Sequence, residues 1–108
     1  MEQITHSVIF NATESVKYAS DSVVSKTILK KESGTITLFA FDAGQSLSEH
    51  TAPFDAVVLI LDGNAEITIA GHPYQLKKND TIIMPGNIPH AVIAKEKFKM
   101  QLTMIKSQ

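Results

Sequence analysis

An all-β sandwich or barrel is the fold class predicted for this chain, on three observations. Short apolar or alternating segments recur along it. Gly, Pro, Asn and Asp separate those segments at fairly regular intervals, as turns do between strands. No window shows sustained 3.6-residue periodicity with caps, so helix has little support.

The elements follow in order. Residues 34–42 mix Thr, Ile and Phe, with both alternating faces largely apolar. Residues 55–61 are a short apolar run ending at Asp62-Gly63-Asn64, which reads as a hairpin because Gly and Asn tolerate positive φ. In residues 65–70, Ala65, Ile67 and Ile69 share one face while Glu66 and Thr68 share the other. Ala70-Gly71-His72-Pro73 turns the chain into a segment at Tyr74-Gln75-Leu76, and Lys77-Lys78-Asn79-Asp80 turns it again into a strand over 81–84. Residues 85–89, with Pro85 and Pro89, form a rigid corner. Strands over 90–94 and 98–105 complete the set. In the last, Phe98, Met100, Leu102 and Met104 alternate with Lys99, Gln101 and Thr103. The first dozen residues carry the weakest pattern; Ser7-Val8-Ile9-Phe10 reads as a tail, or as an edge strand lying across a partner subunit.

Composition narrows the classes of function. The 108 residues suit one domain with a single core, the barrel occupying about 34–106. A formal net charge of −1 supplies no field toward nucleic acid or anionic lipid. No apolar run approaches the ~20 residues that span a bilayer, and the start MEQITHSVIF lacks the basic and apolar regions of an export signal. Zero Cys removes disulfides, thiolate metal sites and thiol catalysis. The expectation is a soluble cytoplasmic protein with no nucleic-acid and no membrane partner. Lys95, Lys97 and Lys99 around Glu96 read as a solvated face. Residues 55–61 add an oligomeric expectation. Val57, Leu59 and Leu61 lie on one face and Ala56, Val58 and Ile60 on the other, and a strand apolar on both sides needs cover on both. A homodimer is the default, twofold pairing being the commonest oligomer.

Four histidines divide into two kinds. His6 in the tail and His72 in a turn read as solvated. His50 and His90 each border a strand, follow turn-rich sequence and stand near a proline, Pro53 and Pro89. The stretches 44–63 and 79–94 resemble the two motifs of the cupin superfamily. In the first, G-x5-H-x-H-x3-4-E-x6-G, Gly44, His50 and Gly63 fall in register. In the second, G-x5-P-x-G-x2-H-x3-N, Pro85 and His90 match, while Asn79, Asn87 and Ala94 stand where Gly, Gly and Asn are usual. The spacing between the motifs is similar to that of small microbial single-domain cupins.

The resemblance implies a double-stranded β-helix (jelly-roll-like) barrel around a pocket. In metal-containing cupins, two His and a Glu of the first motif and the His of the second converge on Fe, Mn, Ni, Zn or Cu. Here His50 and His90 fit the first and last positions; the second His is Ala52 and the Glu is Ala56, so two of four ligands are absent. Catalytic sites generally need about three protein ligands, so a divalent ion would be held weakly or not at all. Asp55 and Glu49 are adjacent to family positions, but strand alternation aims them away. Gln101 remains a candidate pocket amide and third donor.

Ala52 and Ala56 also enlarge the pocket and make it more apolar. Met100 and Met104 would add adaptable walls, or simply fill core, and Phe54 lines the pocket mouth or packs beneath the first motif. The candidate ligand pocket is therefore His50, Ala52, Phe54, Ala56, His90, Met100, Gln101 and Met104, with no catalytic residue assignable. An apolar cavity with a few polar groups is the usual form of a small-molecule site. Three readings follow: a small-molecule-binding barrel with a reduced metal site, a metal-dependent oxygenase or isomerase acting on a small organic acid or sugar-like compound, and a regulatory or structural barrel without a ligand of its own.

Overall fold

Residues 6–106 are described by a computed structural model of the protein. After a 3-10 turn (Thr13–Ser15) come eight strands: β1 (Val23–Lys31), β2 (Gly34–Phe41), β3 (Ser46–His50), β4 (Phe54–Ile69), β5 (His72–Lys77), β6 (Thr81–Met84), β7 (His90–Ile93) and β8 (Phe98–Lys106). All pair antiparallel. No helix among the described residues is long and apolar enough to cross a membrane. The expectation for the first dozen residues falls partly on residues 1–5, which lie outside the described ones.

The 16-residue β4 organises the barrel because it belongs to two sheets. Its first half pairs with β8 and β6, in the sheet ordered β1-β2-β8-β4-β6; its second half pairs with β7 and β5, in the sheet ordered β3-β7-β4-β5. The crossing falls at a register shift between Ile60 and Asp62 in the β8 pairing. The expected hairpin at Asp62-Gly63-Asn64 is therefore corrected: the chain does not reverse there. Gly63 does have positive φ, +75°, but it serves a bend within one strand, because a bulge increases local twist and redirects a strand. The reversal comes at Ala70-Gly71, where φ values of 51° and 81° form the two-residue turn that suits hairpin twist and puts Ile69 opposite His72.

Side-chain alternation then sorts the faces. Ala56, Val58 and Ile60 of β4 point into the barrel with Ile67, Val92, Phe98 and Met100, all buried. Phe41 stacks on Phe98 at 4.6 Å between centroids, across the register pair that joins β2 to β8. Each such large side chain, once buried, contributes about 1.5–3 kcal/mol. The opposite face of the first sheet carries a second cluster, where Val16 packs on Leu38 and Ala40 with Tyr18, Val24 and Leu61 at its edge. The segment before β1 thus roofs one part of the outer face. Lys99 is buried there because its Nζ donates to the Thr13 carbonyl at 2.6 Å.

The barrel is a double-stranded β-helix, as the motifs imply. Strands β1 and β3 add to the elements that the sequence predicts.

Candidate functional site

His50 and His90 stand directly opposite each other, His50 closing β3 and His90 opening β7. Their rings meet edge to face with centroids 4.4 Å apart. The second motif reaches this place through a corner that the backbone fixes. Asn87 has φ of +64° and Asn79, at the motif's start, has +75°. Asn enters the left-handed region more readily than other side-chain-bearing residues, so it substitutes for the Gly usual at both positions. The corner is held by the Asn87 N–H donating to the Ala52 carbonyl at 2.8 Å and the Gly86 N–H donating to Asp55 Oδ1 at 2.9 Å. Asp55 therefore points out of the barrel, as alternation required, and works as a tether.

Each imidazole is oriented by its own strand end. Nδ1 of His50 lies 2.8 Å from the Ser48 carbonyl, and Nδ1 of His90 lies 3.2 Å from the Ile88 carbonyl. A carbonyl oxygen only accepts, so both contacts require a proton on Nδ1. In the neutral rings Nε2 is then the free acceptor, an arrangement typical of imidazoles that bind a metal or accept a ligand's proton. His90 is buried and His50 is exposed, which sets one ring inside the mouth of the barrel and one at its rim.

The two rings line a cavity of about 50 Å³ whose other walls are apolar. Ala52 comes from the loop before β4, and Phe54 and Ala56 from the first two inward positions of that strand. Met100, Leu102 and Met104 come from the inward face of β8, with Met84, Val92 and Leu47 closing the remainder. Of the expected residues, His50, Ala52, Phe54, Ala56, His90, Met100 and Met104 come together here. Gln101 does not, and its assignment as a pocket amide is corrected: it lies between Leu38 and Leu59 in register, on the face of β8 opposite Met100 and Leu102. Leu47, Met84, Val92 and Leu102 line the hollow in addition to the residues the sequence predicts. For Leu102 and Val92 the signal was present, since they share strand parity with Met100 and with His90.

A wider cleft of about 420 Å³ lies elsewhere, beside β5. Its carboxylates are already engaged, Glu66 by Gln75 and Lys95, Glu96 by Asn64, and Asp80 by Lys77. These partners hold the Glu66 and Asp80 carboxyls below the usual range, through the Gln75 hydrogen bond and the Lys77 backbone N–H respectively. In the smaller hollow, by contrast, each histidine commits only Nδ1 to a backbone carbonyl.

A family model for the cupin domain matches residues 37–106. The chain belongs to the cupin family. No curated protein matches it. Among solved structures, it is similar to a conserved protein of unknown function from Streptococcus pyogenes, at 38% identity over 100% of this chain and 97% of that one, with a TM-score of 0.90. It also resembles a cupin 2 conserved barrel domain protein from Leptotrichia buccalis, at 41% identity and a TM-score of 0.87, over 90% of this chain but 47% of that one. A cupin superfamily protein from Desulfitobacterium hafniense matches at 25% identity and a TM-score of 0.90, over 98% and 97% of the two chains.

The family's metal donors can be tested against this cupin's side chains. Ala52 and Ala56 offer methyl groups, which donate nothing. No cluster of three or more His, Cys, Asp or Glu side chains suited to a metal occurs among the described residues. The donor set does not fit the four-ligand divalent centre of the family.

Proposed function

We propose that this cupin is a single-domain, small-molecule-binding barrel with a reduced metal site and no assigned reaction. The observation that carries the reading is the pairing of two Nδ1-anchored imidazoles with an otherwise apolar hollow in which Ala52 and Ala56 replace two ligands. Small-molecule sites have this composition, many apolar walls with few oriented polar groups. The cavity of about 50 Å³ is well below the ~300–1,000 Å³ of drug-sized sites, so the ligand is a compact one of a few heavy atoms. Flexible Met84, Met100 and Met104 permit modest enlargement.

Metal analysis and ligand-dependent melting test this together. Untagged protein is expected to retain well under one divalent ion per chain after dialysis. A screen of small carboxylates and polyols is expected to raise the melting temperature through a ligand whose effect disappears in both His50→Ala and His90→Ala. At 100 times Kd, a single-site ligand stabilises by about 2.7 kcal/mol. One tightly held divalent ion per chain, or a hit indifferent to both histidines, overturns the reading. A divalent-metal oxygenase or isomerase would need a third nitrogen or oxygen donor, and Gln101 lies on the wrong face to supply it. A barrel acting only through its surface predicts no thermal response at all.

We further propose that the protein is a homodimer. Val57 on β4 has Ile83 beside it in register, and Ile83 and Ile105 are 61% and 55% exposed on the outer face. Val8, Ile9 and Phe10 are also exposed, so the chain presents both an apolar face and an apolar arm.

A further inference from the structure

The outer face of the β1-β2-β8-β4-β6 sheet carries an uncharged row across its full width. Register joins Leu29 to Ile36, Ile36 to Thr103, Thr103 to Val57 and Val57 to Ile83, one residue from each strand. Neighbouring strands lie about 4.8 Å apart, so the row runs roughly 19 Å. Leu29, Ile36 and Val57 pack against neither buried cluster. The two ends of the row differ in shape. Ile83 protrudes from β6 with 61% of its surface exposed, whereas on the β1 side Leu29, Ile36, Thr103 and Ile105 line a groove of about 180 Å³. The charges bordering the row differ by side as well: Lys26 and Lys31 share this face on β1, and Asp55 shares it on β4.

We propose that a second copy of this chain docks on this face, Ile83 of each copy entering the groove of the other, and that the contact steadies the corner carrying His90. The inference rests on the homodimer reading and names its contact and its consequence for the hollow.

The face complements itself. Strand β8 is the middle one of the five, so a twofold axis along it exchanges the β1 side of one copy with the β6 side of the other, as an isologous contact requires. The protruding isoleucine then meets the groove twice. The lysine side of each copy meets the Asp55 side of the other, and no like charges are brought together. The link to the hollow runs through the chain between Ile83 and His90. Within it the Gly86 N–H is held by Asp55 Oδ1 at 2.9 Å and the Asn87 N–H by the Ala52 carbonyl at 2.8 Å. Asp55 stands on the docking face itself. A second copy that immobilises Ile83 and keeps water from Asp55 fixes the corner at its start, so protection of these two amides depends on the dimer.

Sedimentation equilibrium and amide hydrogen exchange on the whole protein test this. Ile83→Lys and Ile36→Asp are each expected to weaken the dimer at least about tenfold, because each puts a charge into an apolar contact. An equimolar mixture of the two variants is expected to recover it, since one of the two contacts is then unaltered and the other joins opposite charges. Dissociation, by dilution of the parent or by either substitution, is expected to speed exchange at Gly86 and Asn87 at least about tenfold and to leave the amides between β2 and β8 unchanged. Variants that dimerise as the parent does, a mixture no tighter than either variant alone, or exchange indifferent to dissociation overturn the proposal. Should a variant not fold, dilution of the parent decides alone, through the Gly86 and Asn87 amides. A dimer that ignores both substitutions removes this contact and leaves the homodimer reading standing on another face. A parent that is monomeric at every concentration removes both.

Discussion

The hydroxyl of Tyr18 donates a 2.7 Å hydrogen bond to Asp62 Oδ2, joining the segment before β1 to the strand that crosses between the two sheets. Lys97 and Lys99 place their Nζ atoms 4.9 and 5.0 Å from the centre of the same ring, close enough for cation–π attraction. The contact is part-buried, and its burial, followed by the Asp62 carboxylate, pushes the Tyr18 hydroxyl well above the usual tyrosine range.

Tyr18→Phe keeps the ring over which the lysines lie and removes the hydrogen bond. It is expected to cost about 1 kcal/mol at neutral pH. The pH dependence has a definite sign. The folded state holds the phenolic proton more tightly than the unfolded state does, so the contribution is complete below the unfolded value of about 10. Above that value it declines as pH rises toward the folded value. Denaturant unfolding of both proteins at pH 8 and pH 11 checks this: the advantage of Tyr over Phe shrinks at the higher pH. An equal advantage at both would show that neither burial nor the Asp62 contact perturbs the hydroxyl.

Gly63 and Gly71 both have positive φ, but only one is enclosed. A Cβ on Gly63 would run into the Lys97 carbonyl oxygen and lie 3.0 Å from Phe98 Cα, whereas one on Gly71 meets nothing within 4 Å. Gly71→Ala is expected to cost about 1–2 kcal/mol, the backbone strain of a left-handed residue. Gly63→Ala carries that strain plus the collision with backbone, and is expected to lose at least about 2 kcal/mol. Midpoints of chemical denaturation distinguish the two, and equal losses would mean that β4 and the chain at Lys97 do not approach each other this closely.

Gly63 also shows where the chain could be misread. Asp62-Gly63-Asn64 has the composition of a hairpin, and local chemistry does not distinguish a glycine that reverses the chain from one that lets a strand change sheets. What decides is pairing with Phe98 and Lys99, some 35 residues away, which is invisible in a local window. Strand β1 was hidden for a related reason: a bulge between Thr27 and Leu29 breaks its alternation, and its lysines obscure the apolar face. Strand β3 presents only Leu47 as a large apolar residue. The histidine pair was legible because it rests on motif order together with strand ends, and Met100 and Met104 because β8 alternates without interruption. Parity relative to Met100 does not say which face of β8 is inward, so sequence leaves Gln101 open; in the structure Leu102, sharing Met100's parity, faces the hollow and Gln101 faces away.

Asp55 tethers the corner that delivers His90. Its Oδ1 accepts the Gly86 N–H at 2.9 Å, 31 residues away. Asp55→Ala is expected to release the corner and cost about 1 kcal/mol, an ordinary hydrogen-bond contribution for an exposed contact. The more telling measurement is amide hydrogen exchange: protection is expected to fall at Gly86 while the β8 amides opposite β2 keep theirs. Uniform loss across the barrel would make Asp55 a general stabilising residue instead of a local tether.

The outer face of the β1-β2-β8-β4-β6 sheet is unevenly covered. Residues 12–18 pack over Leu38 and Ala40, whereas Ile83 and Ile105 stand open at its other side. A charge at Ile83 therefore tests self-association without touching the core, because its side chain points away from the barrel and is 61% exposed. Ile83→Lys is expected to convert a dimer to a monomer in sedimentation equilibrium, with the thermal unfolding of the monomer changed by no more than ~0.5 kcal/mol, as for other surface substitutions. Replacing Ile9 and Phe10 with Ser separates the contribution of the arm. If the arm lies on the partner, the double variant weakens the dimer even though neither residue belongs to the sheet. A parent protein that sediments as a monomer at all concentrations removes the dimer, and a dimer indifferent to Ile83→Lys places its interface on another face of the barrel.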